Sequence, residues 1–266
     1  MATSMQHGVL GPSRARVSGK TLRQDRWWLQ PAATFVVFAA FVVYATWRAF
    51  SGSDYYSTPY LSPFYSPCLS TDCVDGSSDF GQPISWFPLS PALLILVFPL
   101  GFRMTCYYYR KAYYRAVWLS PPACAVAEPH KSYSGETRFP LIFQNVHRWF
   151  FYASGLVAAV LTFDVVLAFR DTDGDWGHMG LGTLIMLVNI VLIWGYTLSC
   201  HSCRHAVGGR LRTFSKHPVR YRAWTLVSRL NTQHPQWAWY SLFSVALTDL
   251  YVYLLATGAF DDPRFF

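Results

Sequence analysis

Five separate apolar blocks, each roughly 18–25 residues long, constrain this chain more than any other feature, because that is the length needed to cross ~30 Å of hydrocarbon. They lie near residues 31–50, 86–107, 143–169, 179–203 and 237–256. A soluble domain of 266 residues would instead alternate many short amphipathic elements around one core. Backbone polar groups in lipid must be satisfied within their own segment, so each block is expected to be a helix. The fold class that follows is an all-α, polytopic membrane protein, a bundle of five transmembrane helices. Residues 1–30 form an N-terminal arm, 31–258 the membrane domain and 259–266 a short tail. The first 26 residues have no apolar core, so no cleavable signal peptide is expected.

Only 14% of residues are charged, and the net charge is +8. That surplus lies beside the apolar blocks, which reads as topology and argues against nucleic-acid binding. Arg14, Arg16, Lys20, Arg23 and Arg26 precede the first block. Arg103, Arg110, Lys111, Arg115, Lys131 and Arg138 follow the second, and Arg204, Arg210, Arg212, Lys216, Arg220, Arg222 and Arg229 follow the fourth. The alternate connections carry Asp54, Asp72, Asp75, Asp79, Asp171, Asp173 and Asp175. The positive-inside rule puts the N-terminus in the cytoplasm and the C-terminus outside a plasma membrane. An outer first connection permits a disulfide between Cys68 and Cys73. Asp164 and Asp249, near the outer ends of the third and fifth blocks, suit either hydrogen-bonded structural pairs or a proton route.

The remaining cysteines, Cys106, Cys124, Cys200 and Cys203, gather at the cytoplasmic side with His130, His147, His201, His205, His217 and His234. In Cys200-His201-Ser202-Cys203-Arg204-His205, a straight helix at about 100° per residue sets the two histidines and the two cysteines on faces about 150° apart. Either the helix breaks, which Gly208-Gly209 makes plausible nearby, or other helices contribute ligands. Cys106 and His147 lie at the same depth. Two thiolates and two imidazoles match a Rieske-like [2Fe–2S] centre, whose potential suits exchange with a quinone. The ligand pool is Cys106, His147, Cys200, His201 and His205, with Cys203 in reserve. Haem b, held by His147 with His201 or His205, is the alternative; a structural zinc site, a non-redox scaffold and a transporter are further readings. Trp27, Trp28, Arg103, Tyr107 and Arg110 are the depth-matched candidates for binding a quinone headgroup. The aromatic–basic run Cys106–Arg115 could grip lipid headgroups or dock a soluble partner.

The segments Arg103-Met104-Thr105-Cys106-Tyr107-Tyr108-Tyr109-Arg110-Lys111, Asn145-Val146-His147-Arg148 and Cys200–His205 with Gly208-Gly209, together with the ending Asp262-Pro263-Arg264-Phe265-Phe266, resemble the membrane-anchor (cytochrome b-type) subunit of actinobacterial succinate dehydrogenases. The resemblance covers blocks two to five. It implies a non-flavin subunit that holds a flavoprotein and an iron–sulfur protein on the cytoplasmic face and forms a (mena)quinone site. Many anchors of this kind carry haem b on histidines inside their helices. The middles of these five blocks contain none, which favours the iron–sulfur centre.

Overall fold

The computed structural model describes residues 23–68, 91–126, 128–129, 135–139 and 141–266. The described residues are dominated by α-helix: α1 (Leu29–Ser51), α2 (Pro91–Thr105), α3 (Tyr107–Ala116), α4 (His147–Leu167), α5 (Leu181–Ser199), α6 (His201–Gly208), α7 (Pro218–Thr232) and α8 (His234–Ala256). A two-stranded antiparallel ribbon, β1 (Tyr56–Ser57) and β2 (Tyr60–Leu61), follows α1.

Four helical stretches, Leu29–Ser51, Leu141–Leu167, Leu181–Ser199 and His234–Ala256, are long and apolar enough to cross a bilayer. The second block yields the 15-residue α2, and residues 86–90 of that expectation lie outside the described residues. Large apolar side chains stay uncovered on the outside of the bundle, among them Phe35, Val36, Val42 and Val43 of α1 and Leu156 of α4. In water such a surface would be a liability; against lipid tails it is the expected one.

α5 and α8 form the centre of the bundle and approach closely because Gly195 leaves room for Trp237. A Cβ at Gly195 would stand 2.5 Å from Trp237 Cε3. Val157, Leu161, Met186, Ile190, Val252 and Leu255 build the core between α4, α5 and α8. Two polar pairs join helices within the bundle: Ser244 donates to Asn189 Oδ1 at 2.9 Å and Trp194 Nε1 donates to Thr162 Oγ1 at 2.9 Å.

At one end, two carboxylates tie the bundle together. Arg48 and Asp249 are both fully buried, with Arg48 Nε 2.8 Å from Asp249 Oδ2. Tyr44 also donates to that carboxylate at 2.5 Å, and Ser62 donates to its other oxygen. Asp164 accepts from Ser66. Both acids left open between structure and proton transfer therefore sit in structural networks that fasten the β-ribbon segment to α4 and α8. Asp262 performs the same task for the tail, accepting from Tyr60 at 2.6 Å, Tyr251 at 2.6 Å and the Gly182 N–H at 2.8 Å. Cys68 is disulfide-bonded; Cys73, its expected partner, lies outside the described residues.

At the opposite end the helices break. Cys106 (φ −63°, ψ 131°) is extended between α2 and α3, and Cys200 (φ −65°, ψ 145°) is extended between α5 and α6. The second break falls at Cys200 itself. Of the two alternatives, a break or ligands from other helices, the break is present, though at Cys200 rather than near Gly208-Gly209: the fourth block ends at Ser199, Cys200 lies between the two helices, and His201 and His205 belong to the separate α6.

Candidate functional site

The two helix breaks put a cysteine at the N-cap of a following short helix in both places. There each sulfur meets the partial positive charge of free N–H groups. Ser202 N donates to Cys200 Sγ at 3.4 Å. Two histidines that open long helices then face these sulfurs. His147, first residue of α4, sets Nε2 3.1 Å from Cys200 Sγ. His234, first residue of α8, sets Nε2 3.3 Å from Cys106 Sγ. All four residues line one hollow.

Each imidazole is held in the same manner. His147 Nδ1 lies 2.8 Å from Thr105 Oγ1, and His234 Nδ1 lies 2.7 Å from Ser199 Oγ. Both hydroxyls belong to the residue immediately before a cysteine N-cap. One face of each ring is covered: Phe102 stacks on His147 at 5.0 Å and Tyr196 on His234 at 5.1 Å. Hydroxyl and aromatic partners thus fix the ring planes and leave both Nε2 atoms aimed at sulfur. Such outer-shell fixing of tautomer and orientation accompanies metal-ligating histidine.

The quartet opens on a cavity of about 620 Å³. Tyr107, Arg110 and His201 line it, so three further expected residues join Cys106, His147 and Cys200 there. Arg110 lies over the Tyr107 ring at 4.9 Å and pairs with Glu136 at 2.8 Å. Gln144, on the cavity wall, donates to the Tyr113 hydroxyl at 2.7 Å. Burial pushes the Tyr113 phenol up to about 12, so it remains neutral and donates to the Met104 carbonyl.

Other expected residues lie elsewhere. His205 is exposed beside Arg148 at 2.7 Å. Cys203 is buried but does not line the cavity. Trp27 and Trp28 flank the start of α1 outside the cavity lining. Arg103 points inward under the quartet, donating to Tyr109 Oη at 2.6 Å and lying over the Tyr196 ring at 4.8 Å. It lines a smaller internal cavity of about 80 Å³.

His234 stood outside the expected ligand pool, because the fifth block was read from Trp237. The observed helix starts three residues earlier. The available signal was His234-Pro235, since proline favours the first turn of a helix and so marks His234 as a helix start at the depth of His147.

Among the described residues no group of three or more His, Cys, Asp or Glu is drawn around one point closely enough to hold a single metal ion. The side chains form two thiol–imidazole pairs instead. As a donor set, two sulfurs and two imidazoles fit a two-iron cluster, whose ligands are spread over two metal atoms.

Long apolar helices with an uncovered apolar exterior and a polar, cysteine- and histidine-lined hollow at one end define an integral membrane protein. Residues 29–258 match the family described as actinobacterial succinate dehydrogenase subunit SdhC, and the chain belongs to that family. It is a membrane subunit of a succinate dehydrogenase complex, an oxidoreductase with flavoprotein and iron–sulfur partners. Among solved structures it is similar to a chain of the Mycobacterium smegmatis Sdh1 complex in the apo form, with 55% identity and a TM-score of 0.86, covering 97% of this chain and 98% of that one. No curated protein matches.

Proposed function

We propose that this subunit crosses the membrane five times with its N-terminus in the cytoplasm, anchors the flavoprotein and iron–sulfur subunits on that side, and delivers electrons to a quinone through a Rieske-like [2Fe–2S] centre. Cys106, Cys200, His147 and His234 would hold the cluster. When bound, it supplies one-electron transfer at a potential raised by its two imidazole ligands. The carrying observation is the quartet: four residues from distant parts of the chain meet as two thiol–imidazole pairs, and both imidazoles are braced by a hydroxyl.

The remaining assignments follow from chemistry and position. Thr105 and Ser199 hold the imidazoles by their far nitrogens. Tyr107, Arg110 and His201 line the adjoining hollow and can hydrogen-bond the carbonyls of a quinone headgroup. Arg103, a cation among aromatic rings, favours whatever negative charge develops above it. The basic connections after α2 and α5, with no acid anywhere between Asp175 and Asp249, support the orientation and offer a docking surface.

The test compares the purified wild-type complex with a His234→Gln complex by iron analysis and electron paramagnetic resonance after reduction. Loss of about two irons and of a rhombic signal of low average g in the variant supports the reading. An unchanged iron content and spectrum, or a haem Soret band in the wild type that disappears with His147→Gln, overturns it.

A further inference from the structure

We propose that a recess between the start of α1 and one face of α3, which shares Tyr108 and Lys111 with the wall of the cysteine–histidine hollow, binds the phosphate of an anionic phospholipid. The recess has a volume of about 160 Å³, and Gln30, Thr34, Tyr108, Lys111, Arg115 and Trp239 line it. Tyr108, Lys111 and Arg115 stand at i, i+3 and i+7 of α3 and share one helix face. Gln30 and Thr34 stand one turn apart at the start of α1, the first stretch long and apolar enough to cross a bilayer. The recess is therefore at headgroup level by its position in the chain.

Neither Lys111 nor Arg115 forms an ion pair among the described residues, and no carboxylate lines the recess. Glu128 lines a neighbouring hollow together with both cations, without an ion pair to either. Arg115 Nε is buried without a hydrogen-bond partner, an arrangement that costs free energy until an acceptor arrives. The N-terminal N–H groups of α1 have no side-chain cap, adding partial positive charge nearby.

The floor specifies a lipid over a free anion. Trp239 Nε1 donates to Tyr108 Oη at 2.6 Å, and the Trp239 ring stacks on Phe38 of α1 at 5.2 Å. This aromatic floor leads onto the exposed apolar side chains Phe35 and Val36, where acyl chains can lie. Two cations with no carboxylate in the recess itself favour a headgroup of net negative charge; the ammonium of a choline headgroup would face them unfavourably. Basic pockets between membrane helices recognise anionic headgroups in this way.

The experiment uses the whole complex, as wild type, as Lys111→Ala/Arg115→Ala and as Lys111→Arg/Arg115→Lys. Retained phospholipid is extracted and quantified by phosphorus NMR. Thermal stability is then compared in nanodiscs of phosphatidylglycerol and of phosphatidylcholine. The wild type and the charge-preserving variant should retain anionic phospholipid and melt higher in phosphatidylglycerol, and the alanine variant should lose both effects. Equal lipid retention in wild type and alanine variant, equal melting of the wild type in the two lipids, or stabilisation by inorganic phosphate alone would overturn the proposal. So would loss of the hydrophilic subunits from the alanine variant with its lipid unchanged, which would assign the cations to a protein interface.

Discussion

Cys106 Sγ lies 3.3 Å from His234 Nε2, although 128 residues separate them in the chain. The pair joins the end of α2 to the start of α8, and the His147–Cys200 pair does the same for α4 and α5. If this quartet ligates iron, the groups behind it control how firmly. Replacing Ser199 by Ala or Thr105 by Val removes the partner of one imidazole while sparing every ligand. Loss of such a group typically lowers metal affinity about 10–100-fold. Iron remaining after timed chelator challenge of the purified complex should fall accordingly, and unchanged retention would count against the quartet.

Arg103 sits beneath these residues with hydroxyl, carbonyl and ring partners but no carboxylate among the described residues. Its positive charge favours the reduced form of a centre above it. Arg103→Gln should lower the midpoint potential in a redox titration followed by paramagnetic resonance, by about 59 mV for each tenfold loss in the one-electron reduction equilibrium. Arg103→Lys should restore most of the shift. A potential indifferent to both substitutions would leave Arg103 with a purely structural role.

The Arg48–Asp249 pair is buried at 0% exposure on both sides, so removing one partner strands the other charge in the bundle. Such a break typically costs about 3–5 kcal/mol. Arg48→Met alone should therefore melt well below wild type when unfolding of the purified complex is followed by fluorescence. Combining it with Asp249→Leu should recover part of the loss.

Close packing of α5 on α8 depends on the missing side chain at Gly195. Gly195→Val must displace the Trp237 ring, and overpacking of this kind costs about 1–3 kcal/mol. Both residues are near the quartet's end of the bundle, so thermal stability and iron retention should fall together. Normal values of both would mean that α8 can shift without cost.

Asp171, in the turn between α4 and α5, has its carboxyl held below the usual carboxylate range by the N–H groups of Asp175 and Asp173. Its folded pKa is depressed, so the stability it contributes is present above its ordinary value and is lost as pH falls through the lower, folded one. Asp171→Asn should leave acid unfolding less steep below about pH 4, as measured by a pH series of melting curves.

The helices were legible because bilayer thickness sets a length and because hydrocarbon forbids unsatisfied backbone; α1, α5 and α8 fall nearly where hydropathy puts them. The break at Cys106 was not legible, and the one at Cys200 was legible only as one of two alternatives, without its position. No glycine or proline stands at either position to mark it. Because the first turn of α8 is polar, hydropathy started that helix at Trp237 and left out His234. His201 and His205 were favoured for proximity in sequence to Cys200, yet the break turns them onto α6, where His201 reaches the hollow and His205 meets Arg148. Arg103 was read from its depth as a candidate for binding a quinone headgroup; only the packed structure shows it turned inward among Tyr109, Tyr196 and Ala238.

The central claim is that two imidazoles, from His147 and His234, ligate one iron of a cluster in this subunit. Electron-nuclear double resonance on the reduced complex, with histidine labelled by nitrogen-15, tests it directly and is selective against clusters ligated only by cysteine. Two strongly coupled histidine nitrogens in the wild type, both lost with the centre in His234→Gln and unaffected in His205→Gln, are predicted. A wild-type spectrum with no histidine coupling, or one whose couplings survive replacement of both His147 and His234, would contradict the account.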